Sequence, residues 1–151
     1  MVTELRLRYY ASEFLKLHCA NVRGKQILAK PILLLAVIQS LDDRVIVENK
    51  FPWGKGSETF NRFKTIYENL YKGYLPSEYQ TPIFKPFFHL KSEGFWHLKL
   101  SNLVAYPKAS SVGFLNRNIE YAFLDDNLWE VLQDPGNRNY LREIVVLNYL
   151  R

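Results

Sequence analysis

The sequence predicts an α+β fold, a single domain of helices packed on a small antiparallel sheet containing a prominent β-hairpin. Three observations carry that expectation. Over residues 57–71, Phe60, Phe63, Tyr67, Leu70 and Tyr71 recur at spacings of three and four, the period of an amphipathic helix. Over residues 84–100, side chains alternate so that two strands around a turn would separate an apolar face from a basic one. No internal repeat, low-complexity tract or interdomain linker is present, and 151 residues with 48% hydrophobic content suffice for one core. One domain over 1–151 follows.

From the N-terminus, Tyr10, Phe14 and Leu17 stand at helical spacing opposite Ser12, Glu13 and Lys16, predicting a helix over 9–18. Gly24, between Arg23 and Lys25, breaks that pattern. Pro31 then suits the first turn of a helix, and Ile32-Leu33-Leu34-Leu35-Ala36-Val37-Ile38 is apolar on every side, as a helix at the centre of a core must be. Asp42-Asp43 makes a turn into a short β-branched stretch, 44–48, expected as a strand. A loop over 49–56 follows, and Ser57 caps the periodic helix. Residues 73–82, with two prolines and two tyrosines, read as an irregular connection.

The hairpin is expected next, with Ser92-Glu93-Gly94 as its loop and Gly94 in the left-handed conformation. Its inner face would gather Phe84, Pro86, Phe88, Leu90, Trp96, Leu98 and Leu100. Its outer face would gather Lys85, Phe87, His89, Lys91, Phe95, His97 and Lys99. Such a face suits DNA, since cations pair with phosphates and rings approach bases. Residues 101–118 read as a long loop with a short strand near 103–106. Asp125 or Asp126 caps a helix through Leu132, and Asp134-Pro135 opens a last helix carrying Tyr140, Leu141, Ile144, Val145 and Leu147.

The net charge is +5, and the surplus lies early, where Arg6, Arg8, Lys16, Arg23, Lys25 and Lys30 face only Glu4 and Glu13. That balance favours an acidic partner. Cys19 is the only cysteine, so no internal disulfide forms; with no secretory pattern at the start, the cytoplasm is the expected location. The longest apolar run, 32–38, falls far short of the roughly 20 residues of a membrane span. No membrane association is expected.

Catalytic chemistry is poorly provided for. His18, His89, His97 and Cys19 form no metal-ligand motif, although the hairpin register would place His89 across from His97. His18 and Cys19 are adjacent, and so would point apart on a helix. Asp42-Asp43 and Asp125-Asp126 sit where turns and caps use aspartate. Gly54-Lys55-Gly56-Ser57 precedes a helix and suits a resting DNA phosphate better than a bound nucleotide. No cofactor, metal or catalytic residue is expected, so this chain is not expected to be an enzyme.

Tyr9-Tyr10 through Phe14-Leu15-Lys16-Leu17, Lys30-Pro31-Ile32-Leu33-Leu34-Leu35-Ala36-Val37-Ile38, and Pro86-Phe87-Phe88-His89-Leu90-Lys91-Ser92-Glu93-Gly94-Phe95-Trp96 together resemble the N-terminal recognition region of bacterial HNH-type restriction endonucleases. Tyr121-Ala122-Phe123-Leu124-Asp125-Asp126-Asn127-Leu128-Trp129-Glu130-Val131-Leu132 is similar to that region's closing helices. The resemblance implies a domain like the sulfur-binding domain that recognises phosphorothioate-modified DNA, with the HNH nuclease in a separate domain not present here. In that family a histidine usually precedes the basic residue leading into the core helix, where this chain has Ala29 before Lys30. Sulfur-sensing members carry a tyrosine before the hairpin-motif proline and a small residue three positions after it, where this chain has Lys85 and His89 around Pro86.

These readings converge on a non-catalytic domain that recognises a specific or modified site in double-stranded DNA, phosphorothioate among the modifications, within a restriction-type system. The expected contacts are Arg23, Lys25, Lys30, Trp53, Lys55, Lys85, Pro86, His89 and Lys91, the cations on phosphates and His89 near base edges. The alternative is a protein-interaction or homodimerisation module, using Phe87, Phe95 and the tyrosines of 71–79 as an apolar patch.

Overall fold

The computed structural model describes residues 2–54 and 56–151. Chain order is α1 (Val2–Phe14), a tight hairpin of β1 (Asn21–Val22) and β2 (Lys25–Gln26), α2 (Ala29–Asp42), β3 (Phe51–Pro52), α3 (Glu58–Tyr74), α4 (Phe84–His89), a 3-10 turn (Leu90–Glu93), β4 (Trp96–Leu100), α5 (Val112–Asn118), β5 (Ile119–Leu124), α6 (Asp126–Val131) and α7 (Pro135–Tyr149). This is the expected α+β class.

The all-apolar helix is the centre of the core. Every residue of 32–38 is at most 2% exposed, and α2 packs against α3, α4 and α7. Ser57 caps α3 as its sequence position implies, its hydroxyl accepting from the Phe60 N–H at 3.1 Å. α3 buries Phe60, Phe63, Tyr67 and Tyr71 on one face. Asp134 caps α7, its Oδ1 accepting from the Gly136 N–H at 2.8 Å with Pro135 in the first turn. Asp42, at the end of α2, clasps Arg138 and Arg142 of α7.

The sheet runs β3-β5-β4, all antiparallel, with β5 in the middle. Trp96 pairs with Leu124, Leu98 with Ala122 and Phe51 with Ala122. Asn49 extends this ladder with its side chain. Its Nδ2 donates to the Leu124 carbonyl and its Oδ1 accepts from the Leu124 N–H, both at 2.8 Å.

Several expectations are corrected. Residues 84–89 form α4 and not a strand, so the hairpin over 84–100 does not exist; the hairpin of this fold is β1-β2, turned through Arg23 and Gly24 at positive φ. The reason is burial: neighbouring Phe87 and Phe88 are both 0% exposed, whereas a half-solvated strand would turn one of them outward. Pro86 lies in the first turn of α4, where a missing N–H costs nothing. Gly94 does adopt a left-handed conformation, φ +90°, but it ends the 3-10 turn. Second, 44–48 is irregular, and the short strand is β3 further on. Third, 121–124 lies in β5 and not in a helix, and the stretch 101–118 is a loop only in its first part, closing in helix α5, while 103–106 stays irregular. Helix α1 also starts earlier than the periodicity indicates and stops at Phe14, leaving Leu17, His18 and Cys19 in an irregular connection.

Candidate nucleic-acid interface

Helix α4 and the turn after it are locked from inside. Phe87 packs on Trp53 and Trp96, and the Trp96 Nε1 donates to the Phe87 carbonyl at 2.9 Å. With that face sealed, Lys85, His89 and Lys91 are left toward solvent, Lys85 exposed and the other two half-buried. The separation of cationic from apolar side chains expected of a β-ribbon is thus achieved by a helix in part. Phe87 and Phe95, assigned to the outer face, are interior.

His89 is the focus of this surface. Its Nε2 lies 3.2 Å from the Ser110 hydroxyl, in the loop over 101–111. Burial, then the positive charges of Lys30, Lys91 and Lys85, hold its pKa below the usual histidine range, favouring the neutral ring. Lys91 braces the same loop, its Nζ 4.7 Å from the ring centroids of both Phe88 and Tyr106.

Lys30 is differently placed from a free phosphate binder. Its ammonium is 2.6 Å from Glu93 Oε2 and donates to Ser92 Oγ at 3.2 Å; the two charged side chains are 12% and 4% exposed. Glu93 also accepts from the His18 N–H at 3.0 Å and lies 3.3 Å from the His18 Nδ1. Burial raises the Glu93 pKa, but Lys30 and the His18 backbone N–H outweigh it and hold the carboxyl below its ordinary range.

The remaining predicted contacts are dispersed. Arg23 sits exposed at the turn of the β1-β2 hairpin. Lys25, on that hairpin, pairs with Glu78 at 2.6 Å. Trp53 lies behind α4, packed on Phe60 and Phe87, its Nε1 donating to Asn116 Oδ1 at 2.9 Å. Pro86 is buried, so it shapes the helix and offers no surface. Lys55 lies outside the described residues. Among the described residues, α4 and the turn after it thus carry Lys85, His89 and Lys91 with Lys30 bound to that turn through Glu93, while Arg23 and Lys25 sit on a separate hairpin and Trp53 and Pro86 are packed behind the surface.

Residues that the sequence did not single out complete the site. Ser110 and Tyr106 come from the stretch that local pattern reads only as a loop with a short strand, and Glu93 neutralises a lysine far away in the chain. A separate cluster joins Asp125 to Tyr10 and His97: the Tyr10 hydroxyl donates to Oδ2 at 2.8 Å and His97 Nε2 lies 2.6 Å from Oδ1. Asp125 precedes α6 as the cap position requires, yet makes no side-chain cap bond. His89 and His97 are on different elements. Among the described residues no group of three or more His, Cys, Asp or Glu could hold a metal, and no helix is long and apolar enough to cross a membrane.

Neither a family model nor a curated protein sequence matches this chain. Solved structures similar to this chain include two of ScoMcrA. The sulfur binding domain of ScoMcrA complexed with phosphorothioated DNA aligns with a TM-score of 0.67 at 18% identity, over 93% of this chain and 86% of that one. The sulfur binding domain and SRA domain of ScoMcrA complexed with phosphorothioated DNA aligns with a TM-score of 0.68 at 18% identity, over 93% of this chain and 42% of that one. The chain thus has the fold of the ScoMcrA sulfur binding domain.

Proposed function

We propose that this chain is a DNA-recognition domain that docks double-stranded DNA on the α4 surface, without catalysing a reaction itself. The observation that carries the reading is the outward placement of Lys85, His89 and Lys91 on α4 and the turn after it, with Lys30 paired to Glu93 of the same turn, in a fold shared with domains solved on DNA. Lys85 and Lys91 pair with backbone phosphates, and His89 and Ser110 meet the phosphate or base edge between them. Arg23 and Lys25 supply outlying backbone contacts. The resemblance to recognition regions of HNH-type restriction endonucleases makes restriction of DNA the context, with the nuclease supplied elsewhere. A protein-docking surface is the weaker reading, because Phe87, Phe95 and Tyr71 are at most 2% exposed, leaving only Tyr74 and Tyr79 of the patch outside.

The test is fluorescence anisotropy of a labelled mixed-sequence duplex across a salt series. Affinity should fall steeply with salt, and Lys85→Ala and Lys91→Ala should each reduce the log–log slope by about 0.9, one phosphate apiece. Binding that ignores salt, or no binding to any duplex, removes the proposal.

A further inference from the structure

Both similar structures hold phosphorothioated DNA, yet the surface here has the wrong chemistry for a sulfur atom. We propose that the His89 subsite takes an ordinary phosphodiester oxygen in preference to a phosphorothioate sulfur, and that His89 sets this preference. The inference rests on the DNA reading above and specifies the ligand chemistry of that site.

A sulfur replacing a non-bridging oxygen is larger, less strongly hydrated and a poorer hydrogen-bond acceptor, so it gains most from exposed apolar surface and least from fixed donors. Around His89 the apolar side chains of α4 and the turn are out of reach, since Pro86, Phe87, Phe88 and Leu90 are all buried; the Tyr106 ring of the neighbouring loop is 41% exposed but has the Lys91 ammonium 4.7 Å from its centroid. The Phe88 ring is further covered by the Lys91 ammonium and Tyr106. The rest of the surface around His89 is polar. It comprises the His89 imidazole, the Ser110 hydroxyl 3.2 Å from its Nε2, and the cations of Lys85 and Lys91.

The one well-buried cation nearby, Lys30, is already matched by Glu93 at 2.6 Å, so no enclosed positive pocket stands open for a large soft anion. With the ring neutral, the His89–Ser110 hydrogen bond leaves one donor of the pair free, and a hard oxygen accepts from that donor and from a neighbouring ammonium, with charge-assisted geometry that sulfur does not match.

The experiment is competition binding of the full chain to one duplex in two forms, unmodified or with phosphorothioate linkages throughout one strand, at fixed salt. The sulfur form should bind about two- to fivefold more weakly, the worth of one hydrogen bond. His89→Ala should abolish or invert the ratio, and His89→Gln, which keeps an N–H donor, should retain it. Equal or tighter binding of the sulfur duplex overturns the inference, as does a ratio unchanged in His89→Ala. Those results leave salt-dependent DNA binding in place, whereas failure of both duplexes to bind removes the DNA reading and this inference with it.

Discussion

Replacing Glu93 with glutamine tests the ion pair beneath the candidate interface. The substitution keeps shape and one acceptor oxygen but strips the charge from a carboxylate whose side chain is 4% exposed, leaving the Lys30 ammonium 12% exposed and without its counter-ion. Breaking a buried pair by removing one partner costs about 3–5 kcal/mol; the amide oxygen can still accept from Lys30 or the His18 N–H, which brings the expected loss to about 2–3 kcal/mol. The pH dependence gives a second signature. The folded Glu93 carboxyl titrates below its ordinary range, so its stabilisation is complete above the unfolded pKa of about 4.3 and is lost as pH falls through the lower, folded value. Urea denaturation followed by circular dichroism should show a lower midpoint for Glu93→Gln near neutrality, with unchanged slope, and a difference from the parent that shrinks on acidification. Equal midpoints at neutral pH, or a gap constant through the acid range, would refute the ion-pair account.

Two further perturbations bear on the scaffold. Trp96→Phe removes the indole donor to the Phe87 carbonyl and leaves that buried acceptor unpaired, so it should cost about 1–3 kcal/mol in the same denaturation assay. Asp42→Asn loosens the clasp on Arg138 and Arg142; because burial is outweighed there by the two guanidinium groups and the carboxyl is held below its usual range, the lost stability should appear at neutral pH and vanish in acid.

What was legible in the sequence was whatever depended on local pattern. The uniform apolarity of 32–38 marked the central helix, Ser57 and Asp134 marked the starts of α3 and α7, and Gly94 marked a left-handed residue. Alternation over 84–100 misleads because the short α4 and the 3-10 turn also leave Lys85 exposed and His89 and Lys91 half-buried, on a backbone that is not a strand and with Phe87 and Phe95 inside. Strand β5 was missed because its partners are distant: β3 lies far upstream and β4 is separated from it by a long loop and α5. The candidate site shows the same division. Lys85, His89 and Lys91 stand close in sequence and were visible. Glu93 against Lys30, and Ser110 against His89, are meetings across the fold for which no short window carries a signal.

The middle position of β5 has a consequence for how the chain assembles. β3 and β4 share no rung with each other; every ladder bond in the sheet, and the Asn49 extension, goes to one segment near the C-terminal fifth of the molecule. A nascent polypeptide can therefore gather α2 and α3 early, but Phe51 and Trp96 wait as unmatched edges until residue 124 has emerged. A fragment ending before Ile119 would lose the three-stranded sheet altogether and, without α6 and α7, would uncover one side of α2; Trp96, on which Phe87 and α4 are seated, would be left without its strand partner.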